Sequence, residues 1–371
     1  MKRKKIFINA CLITDKPSGI GIYSVELLNE LVPVLEREGY QFIVYCYDPK
    51  IIANVEHKHL KKITLGSLLD KLLKNRTVFH RHLWNTFALG FLAAKFDILY
   101  SFTSHGALFH KNQIITIHDL ICLSFPQSHK DQYYYFKYFL PLLIRRSKHI
   151  ITISNFTKTE VALYYSLSNK KLSVIYNGVD HLEKLGQGRH HDGWLQPKIL
   201  EPFCLIVGAS YPHKNIETIL QVCDRMKECN VRFVIVNKPT LYFSAMQEKA
   251  ASLKLKNIFF LEYIEDWQLA LLYKKAKLNI YLSLYEGFGF PPAEASFFGT
   301  QSLLSNKTAL SEIYGNEFEF VDPIDIDKIE EIVTRYALAQ NKIEVKSYLK
   351  LKQKYNWEKT ALETIAIFRS Y

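Results

Sequence analysis

The sequence predicts an α/β protein of two Rossmann-like, doubly wound domains facing each other across a cleft. Three observations lead there. The chain has 371 residues, long for one hydrophobic core and comfortable for two. Short apolar, β-branched runs alternate with helical stretches, the pattern of right-handed parallel crossovers. The alternation then lapses in a polar, Gly-bearing stretch, "HLEKLGQGRHHDGWLQPKIL" at 181–200, and restarts.

The elements follow in order. Lys5–Ala10 is a first strand, and a loop, "TDKPSGIG", leads to a helical pattern over Ile22–Leu35. Gln41–Tyr47, Asp97–Ser101, Gln113–His118 and His149–Ile153 are further strands, with a helical Lys130–Ser147 among them. Leu172–Tyr176 runs into "NGVD", a turn signal. The second series is Phe203–Val207, Arg232–Asn237, Asn257–Leu261, Leu278–Leu284, Gln301–Ser305 and Glu319–Val321. These divide the chain into an N-terminal domain over 1–185, a C-terminal domain over 200–350, and a last helix, 351–371, packing back on the first domain. In such sheets ligands bind beyond the carboxyl ends of the strands.

Composition is that of an ordinary globular protein: 48% hydrophobic and 23% charged. None of the six cysteines forms a CxxC pair, which reads as buried thiols in a reducing compartment. The start, "MKRKKIFINACLI", lacks the form of a signal peptide, and no run reaches the ~18 apolar residues of a membrane span. The expected location is cytoplasmic, with peripheral binding to the inner face of the membrane as an extension. Net charge is +12, and residues 1–180 hold 24 Lys and Arg against 13 Asp and Glu. That basic excess suits an anionic membrane surface or a phosphorylated partner. Nucleic acid is not expected, since no helix-turn-helix, finger or RNP pattern is present.

The chemistry concentrates in "EGFGFPPAE", Glu286–Glu294. Gly287 and Gly289 permit positive φ and close backbone approach. Pro291 and Pro292 suit the opening turn of a helix that would stop at Gly299. Glu286 thus stands at a strand end and Glu294 in the early turns of the next helix, beside backbone N–H groups expected to be free. Two carboxylates at a donor-rich bend suit a polyol. Elsewhere, Gly19 and Gly21 precede a helix without forming a GxGxxG or P-loop motif. His118 ends an apolar strand, where a histidine is ordinarily a satisfied core residue. "DID" at Asp325–Asp327 is a weak metal candidate without His or Cys partners. "YYYFKYFLPLLIRR" at 133–146 reads as a core helix with snorkelling cations or as a surface touching membrane.

"EGFGFPPAE" resembles the E-x7-E motif of the retaining glycosyltransferases of family 4, which have the GT-B fold. Other stretches agree in order: "SGIGIY" (Ser18–Tyr23), "TIHDLICLSFP" (Thr116–Pro126), "ISNFTK" (Ile153–Lys158), "VIYNGVD" (Val174–Asp180) and "VGASYPHKN" (Val207–Asn215). The resemblance runs from about residue 6 to about 323. It implies that Glu294 holds the nucleotide ribose and Glu286 the hydroxyls of the donated sugar. It implies backbone contacts from Gly287, Phe288, Gly289 and Phe290, and from Gly19 and Gly21. It puts Lys214 on the diphosphate and His118 near the donor sugar. His213 stands where the family usually has Arg, and Ala209 where many members carry another Arg, so phosphate charge is countered less strongly here.

The implied protein is a retaining, metal-independent hexosyltransferase needing no cofactor. It would carry mannose or a similar sugar from a nucleotide-diphosphate donor to a glycan, a lipid-linked intermediate of a bacterial surface polysaccharide. A GT-B-fold nucleotide-sugar epimerase and an inactive carbohydrate- or membrane-binding relative are the alternatives.

Overall fold

A computed structural model describes residues 4–10, 19–46, 59–63, 84–187, 194, 199, 202–262, 264–339 and 347–371. The chain forms two compact units, Met1–Gly178 with Tyr355–Tyr371, and Val179–Lys354.

Among the described residues the first unit holds seven parallel strands: β1 (Lys5–Ala10), β2 (Gln41–Cys46), β3 (Leu60–Lys62), β4 (Ile98–Ser101), β5 (Gln113–Ile117), β6 (His149–Thr152) and β7 (Leu172–Val174). Their order is β3-β2-β1-β4-β5-β6-β7. The strand β5, "QIITI", is buried throughout, as a parallel strand with both faces covered requires. Strand β3 was not anticipated: "LKK" is too short and polar to show a period. Part of the loop 14–21 and much of 181–200 lie outside the described residues, as does Cys11.

The helix Gly19–Arg37 buries Tyr23, Leu27, Leu28, Leu31 and Leu35, a stripe at helical spacing. The C-terminal helix Trp357–Arg369 packs against it, burying Trp357, Ile365 and Phe368. Large side chains of this kind each contribute about 1.5–3 kcal/mol by leaving water. The C-terminal helix also seats on the turn "NGVD". A Cβ on Gly178 would land on the backbone nitrogen and ring of Trp357, so only glycine fits there.

The second unit holds β8 (Phe203–Val207), β9 (Arg232–Val236), β10 (Ile258–Leu261), β11 (Leu278–Tyr281), β12 (Ser302–Ser305) and β13 (Glu319–Val321). Their order is β10-β9-β8-β11-β12-β13, again all parallel. The direction of winding reverses between β8 and β11, the place where ligands bind in doubly wound sheets. The unit begins at Val179, earlier than a boundary at 185 anticipates. The short helical segment Asp180–Gln187 packs on the helices Asp266–Lys275 and Pro291–Phe297, and Leu182 is fully buried. Four of the five described cysteines are buried, whereas Cys229 is exposed, against the expectation of burial.

Candidate functional site

The loops after β8 and β11 are stitched together. The Leu284 N–H donates to the carbonyl of His213 at 2.7 Å. Asn215 holds a left-handed conformation, φ 58°, and its side-chain amide donates to the carbonyls of Leu282 and Pro323. Asparagine tolerates that backbone region better than most residues. Two strand ends at the reversal point are thereby locked side by side, and the locking brings Lys214 and Glu286 together.

The Lys214 ammonium donates to Glu286 Oε1 at 2.5 Å and to Tyr281 Oη at 2.8 Å, and the Tyr281 hydroxyl donates to the same Oε1 at 2.7 Å. The ammonium lies 4.9 Å from the centre of the Tyr281 ring. Glu286 and Tyr281 are buried. Burial alone would raise the Glu286 carboxyl, but the Lys214 charge, then His213 and the hydrogen bonds from Lys214 and Tyr281, hold it below the usual glutamate range. Burial and the neighbouring Glu286 push the Tyr281 hydroxyl well up, so it stays protonated and remains a donor. The Glu286 N–H donates to Thr308 Oγ1 at 3.1 Å. Thr308 itself sits at φ 62°, a strained backbone for a β-branched residue.

The bend that follows corrects two expectations. Of its glycines only Gly289 takes a positive φ, 81°. A Cβ there would meet Leu310 Cδ2 at 2.9 Å and Tyr281 Cε1 at 3.2 Å. Nor does the start of helix Pro291–Phe297 supply free donors. Pro291 and Pro292 have no N–H, and the amides of Ala293 and Glu294 both donate to the Phe290 carbonyl. The donors come one step earlier: among the described residues the N–H groups of Gly287, Gly289 and Phe290 have no hydrogen-bond partner. Gly299, at φ 72°, ends the helix, and Thr300 N–H closes back on Ala295.

Glu294 stands in that helix, half-buried. Its Oε2 accepts from the Tyr273 hydroxyl at 2.7 Å. Burial raises its carboxyl above the usual range, Tyr273 opposes this, and Asp266 adds to it. Tyr273 is near Tyr281 and Tyr314, and the Tyr314 hydroxyl donates to the Gly289 carbonyl. Phe288 and Phe290 pack together with ring centres 5.3 Å apart. His213 is buried, its ring parallel to that of Tyr211 at 5.9 Å. Lys214, His213, Glu286, Gly287–Phe290 and Glu294 therefore belong to one region of the second unit. The sequence did not single out the tyrosines that support them. Tyr281, in an apolar strand five residues before Glu286, reads as core until the strand end is located.

His118, Gly19 and Gly21 belong to the first unit. His118 Nε2 donates to the Phe102 carbonyl at 2.8 Å, which fixes the tautomer, since a carbonyl only accepts. Burial lowers its pKa to about 4, so the ring is neutral and offers Nδ1 as an acceptor. The Tyr23 ring meets it edge-on at 4.7 Å, joining it to the helix that Gly19 opens. Among the described residues no atom lies within 4 Å of where a Cβ on Gly19 would sit. Asp325 caps the helix Ile326–Ala337 and Asp327 pairs with Arg225. Among the described residues no cluster of three His, Cys, Asp or Glu could hold a metal ion.

Comparisons with known proteins bear on the family and the fold. Residues 18–182 match the family model "Glycosyltransferase Family 4" and residues 197–353 match "Glycosyl transferases group 1". The chain is 33% identical over 224 residues to the O-antigen chain mannosyltransferase RfbU of Salmonella typhimurium, 60% of each chain. It is 24% identical to O-antigen chain mannosyltransferase B of Escherichia coli, over 95% of this chain and 96% of that one. Among solved structures, a sucrose-phosphate synthase from Thermosynechococcus elongatus superposes with TM-score 0.70 at 17% identity, over 99% of both chains. Anabaena HepE in complex with UDP-glucose superposes with TM-score 0.69 at 16% identity, over the whole of both chains. At these identities the structures show the shared fold, GT-B. With each half of the chain matched by its own model, and mannosyltransferases among its relatives, the chain belongs to the family 4-like glycosyltransferases.

Proposed function

We propose that this glycosyltransferase is a retaining, metal-independent enzyme that moves a hexose, mannose or a close analogue, from a nucleotide-diphosphate sugar to a bacterial surface glycan carried on a lipid diphosphate. The observation that carries the reading is the meeting of Lys214 and Glu286 at 2.5 Å, at the ends of β8 and β11. A cation and a carboxylate at the reversal point of a doubly wound sheet suit a diphosphate and a polyol together. The mannosyltransferase relatives support the sugar. The UDP and UDP-glucose complexes of Anabaena HepE support a nucleotide-sugar donor.

In this reading Glu294 accepts from the ribose hydroxyls and Glu286 from the sugar. The unpartnered amides of Gly287, Gly289 and Phe290 hold oxygens of the donor. Lys214 neutralises the charge that grows on the diphosphate as the bond to the anomeric carbon breaks, a role a divalent cation fills elsewhere. The acceptor oxygen bonds to the anomeric carbon on the face the diphosphate leaves, and the acceptor proton passes to a diphosphate oxygen. Positioning and electrostatics supply the catalysis. Within the first unit, Gly19 and Gly21 open the helix beside His118, whose Nδ1 suits a sugar hydroxyl as its donor.

A membrane surface is the second partner proposed. In the helical stretch Lys130–Arg146, Tyr134 and Tyr138 are 61% and 62% exposed and Leu142 46%, at spacings that share one helix face. Lys137 lies over the rings of Tyr133 and Tyr138, and Arg145 and Arg146 follow. Docking there would place the protein at the cytoplasmic face, beside a lipid-linked acceptor. No helix among the described residues is long and apolar enough to cross a membrane.

The deciding experiment offers GDP-mannose and UDP-glucose with lipid-linked acceptors in the presence of a chelator, and reads the anomeric configuration of the product. Transfer with retention is expected. Dependence on Mn²⁺ would overturn the metal-free claim, and conversion of donor alone into an epimer would favour the epimerase.

A further inference from the structure

Both acids of the site share one arrangement. Glu286 uses Oε1 for Tyr281 and Lys214, and its Oε2 has no hydrogen-bond partner among the described residues. Glu294 uses Oε2 for Tyr273, and its Oε1 likewise has none. Each tyrosine is almost wholly buried, and burial keeps each hydroxyl protonated. A buried tyrosine has two side-chain torsions, both fixed by packing, so its hydroxyl is a rigid donor. The Tyr281 ring is held beneath Lys214 and against Gly289. The Tyr273 ring stacks on Phe298, 6.0 Å between centres and 8° between planes, and its carbonyl accepts from the Thr300 hydroxyl at 2.5 Å.

We propose that Tyr281 and Tyr273 are the positioning residues of the site, each pinning one oxygen of a motif glutamate so that the other oxygen faces the donor. Tyr281 serves the acid beside the transferred sugar, and Tyr273 the acid beside the nucleoside. The proposal rests on the roles given above to Glu286 and Glu294, and it adds a division of labour. A carboxylate free to rotate about its last torsion would present either oxygen, or neither, to a hydroxyl. Fixing it removes that freedom before the donor arrives.

The division predicts opposite kinetic signatures. Tyr281→Phe keeps the ring and removes the hydroxyl. It should lower kcat about tenfold to a hundredfold, the effect of one lost hydrogen bond to a charged group, with the donor KM and the calorimetric Kd for GDP or UDP within about twofold, since Tyr281 does not serve the acid assigned to the nucleoside. Tyr273→Phe should weaken nucleoside-diphosphate binding about tenfold or more and leave kcat at saturating donor little changed. A merely structural pair would move both parameters together in both variants, or only the melting temperature, and that result overturns the proposal. Glu286→Gln and Glu294→Ala are run beside them. If those parents fail to show the same split, the roles of the acids are wrong. If the parents split and the tyrosine variants do not, this inference alone fails. Double-mutant cycles in urea, Tyr281 with Glu286 and Tyr273 with Glu294, read the pinning without turnover. Additive losses in both pairs would overturn it.

Discussion

At the scale of single residues, the two motif acids are displaced in opposite directions, and the signs make a testable pair. Glu286 is held low by Lys214 against the pull of burial. Its stabilising contribution is present above the ordinary glutamate value, ~4.3, and is lost as pH falls through its lower folded value. Glu294 is held high, chiefly by burial. Its ionised form destabilises the fold above its raised value, and that penalty vanishes as pH falls through it. Glu294→Gln should therefore melt higher than the parent at neutral pH, with the gain shrinking toward acid. The same change should weaken nucleotide binding, because the single Gln oxygen can accept from Tyr273 or from the ribose but not from both. In the parent, nucleotide affinity measured by calorimetry should fall with pH at values above ~4.3, and the Gln variant should lose that dependence. Lys214→Ala should lower kcat by about two to three orders of magnitude, the scale of one lost charge-stabilising donor; steady-state rates with saturating donor read it. Glu286 and Glu294 were legible in the sequence as two acids flanking a Gly- and Pro-rich bend between a strand and a helix, whereas Lys214 was implied only by the family resemblance. Tyr273 and Tyr314 were not legible, since they reach the site from helices 21 and 25 residues away from the groups they bind. Only the packing of those helices reveals them.

At the scale of elements, strand positions were readable wherever apolar runs were long enough to declare themselves. Strands β1, β8 and β13 match their sequence ranges end to end. Strand β11 stops at Tyr281, three residues short of its anticipated end at Leu284. The remaining apolar residues belong to the loop that Leu284 ties to His213. Hydrophobicity marks burial, and a buried loop carries the same mark as a strand. The donor groups were misplaced for a related reason. A helix start suggests free amides, but two prolines there supply none, and the available amides lie in the bend before it. The C-terminal helix shows what a turn glycine does at this scale. Gly178→Ala should destabilise the first unit by about 1–3 kcal/mol, as overpacking does, because its methyl would displace Trp357. Gly19→Ala, with no atom of the described residues near its Cβ, should leave stability unchanged or slightly raised. Urea unfolding of both variants checks the contrast, and equal losses would show that Trp357 does not depend on the glycine.

At the scale of the whole molecule, charge and exposed aromatic surface fall in the same half. Residues 1–180 hold 24 Lys and Arg against 13 Asp and Glu, leaving residues 181–371 nearly neutral within the total of +12. The exposed Tyr134, Tyr138 and Leu142 lie in a stretch that also carries Lys130, Lys137, Arg145 and Arg146 against one acid, Asp131. Nearby, Lys171 donates to the Ile144 carbonyl, which brings the basic segment Asn169–Lys171 to the end of that stretch. Each cation near an anionic leaflet contributes about 1 kcal/mol, and aromatic side chains settle at the headgroup level. The two contributions respond differently to salt. The electrostatic one decays within about 10 Å at 0.1 M and about 3 Å at 1 M, whereas burial of rings in the interface does not. The full-length protein should therefore float with vesicles containing anionic phospholipid at low salt and release most of itself at 1 M, while neutral vesicles capture little. Replacing Tyr134 and Tyr138 with Ser should reduce the fraction that survives high salt, and replacing Lys137, Arg145 and Arg146 with Gln should reduce the fraction that salt removes. Equal flotation with neutral and anionic vesicles, or binding indifferent to both sets of substitutions, would place the membrane contact elsewhere or remove it.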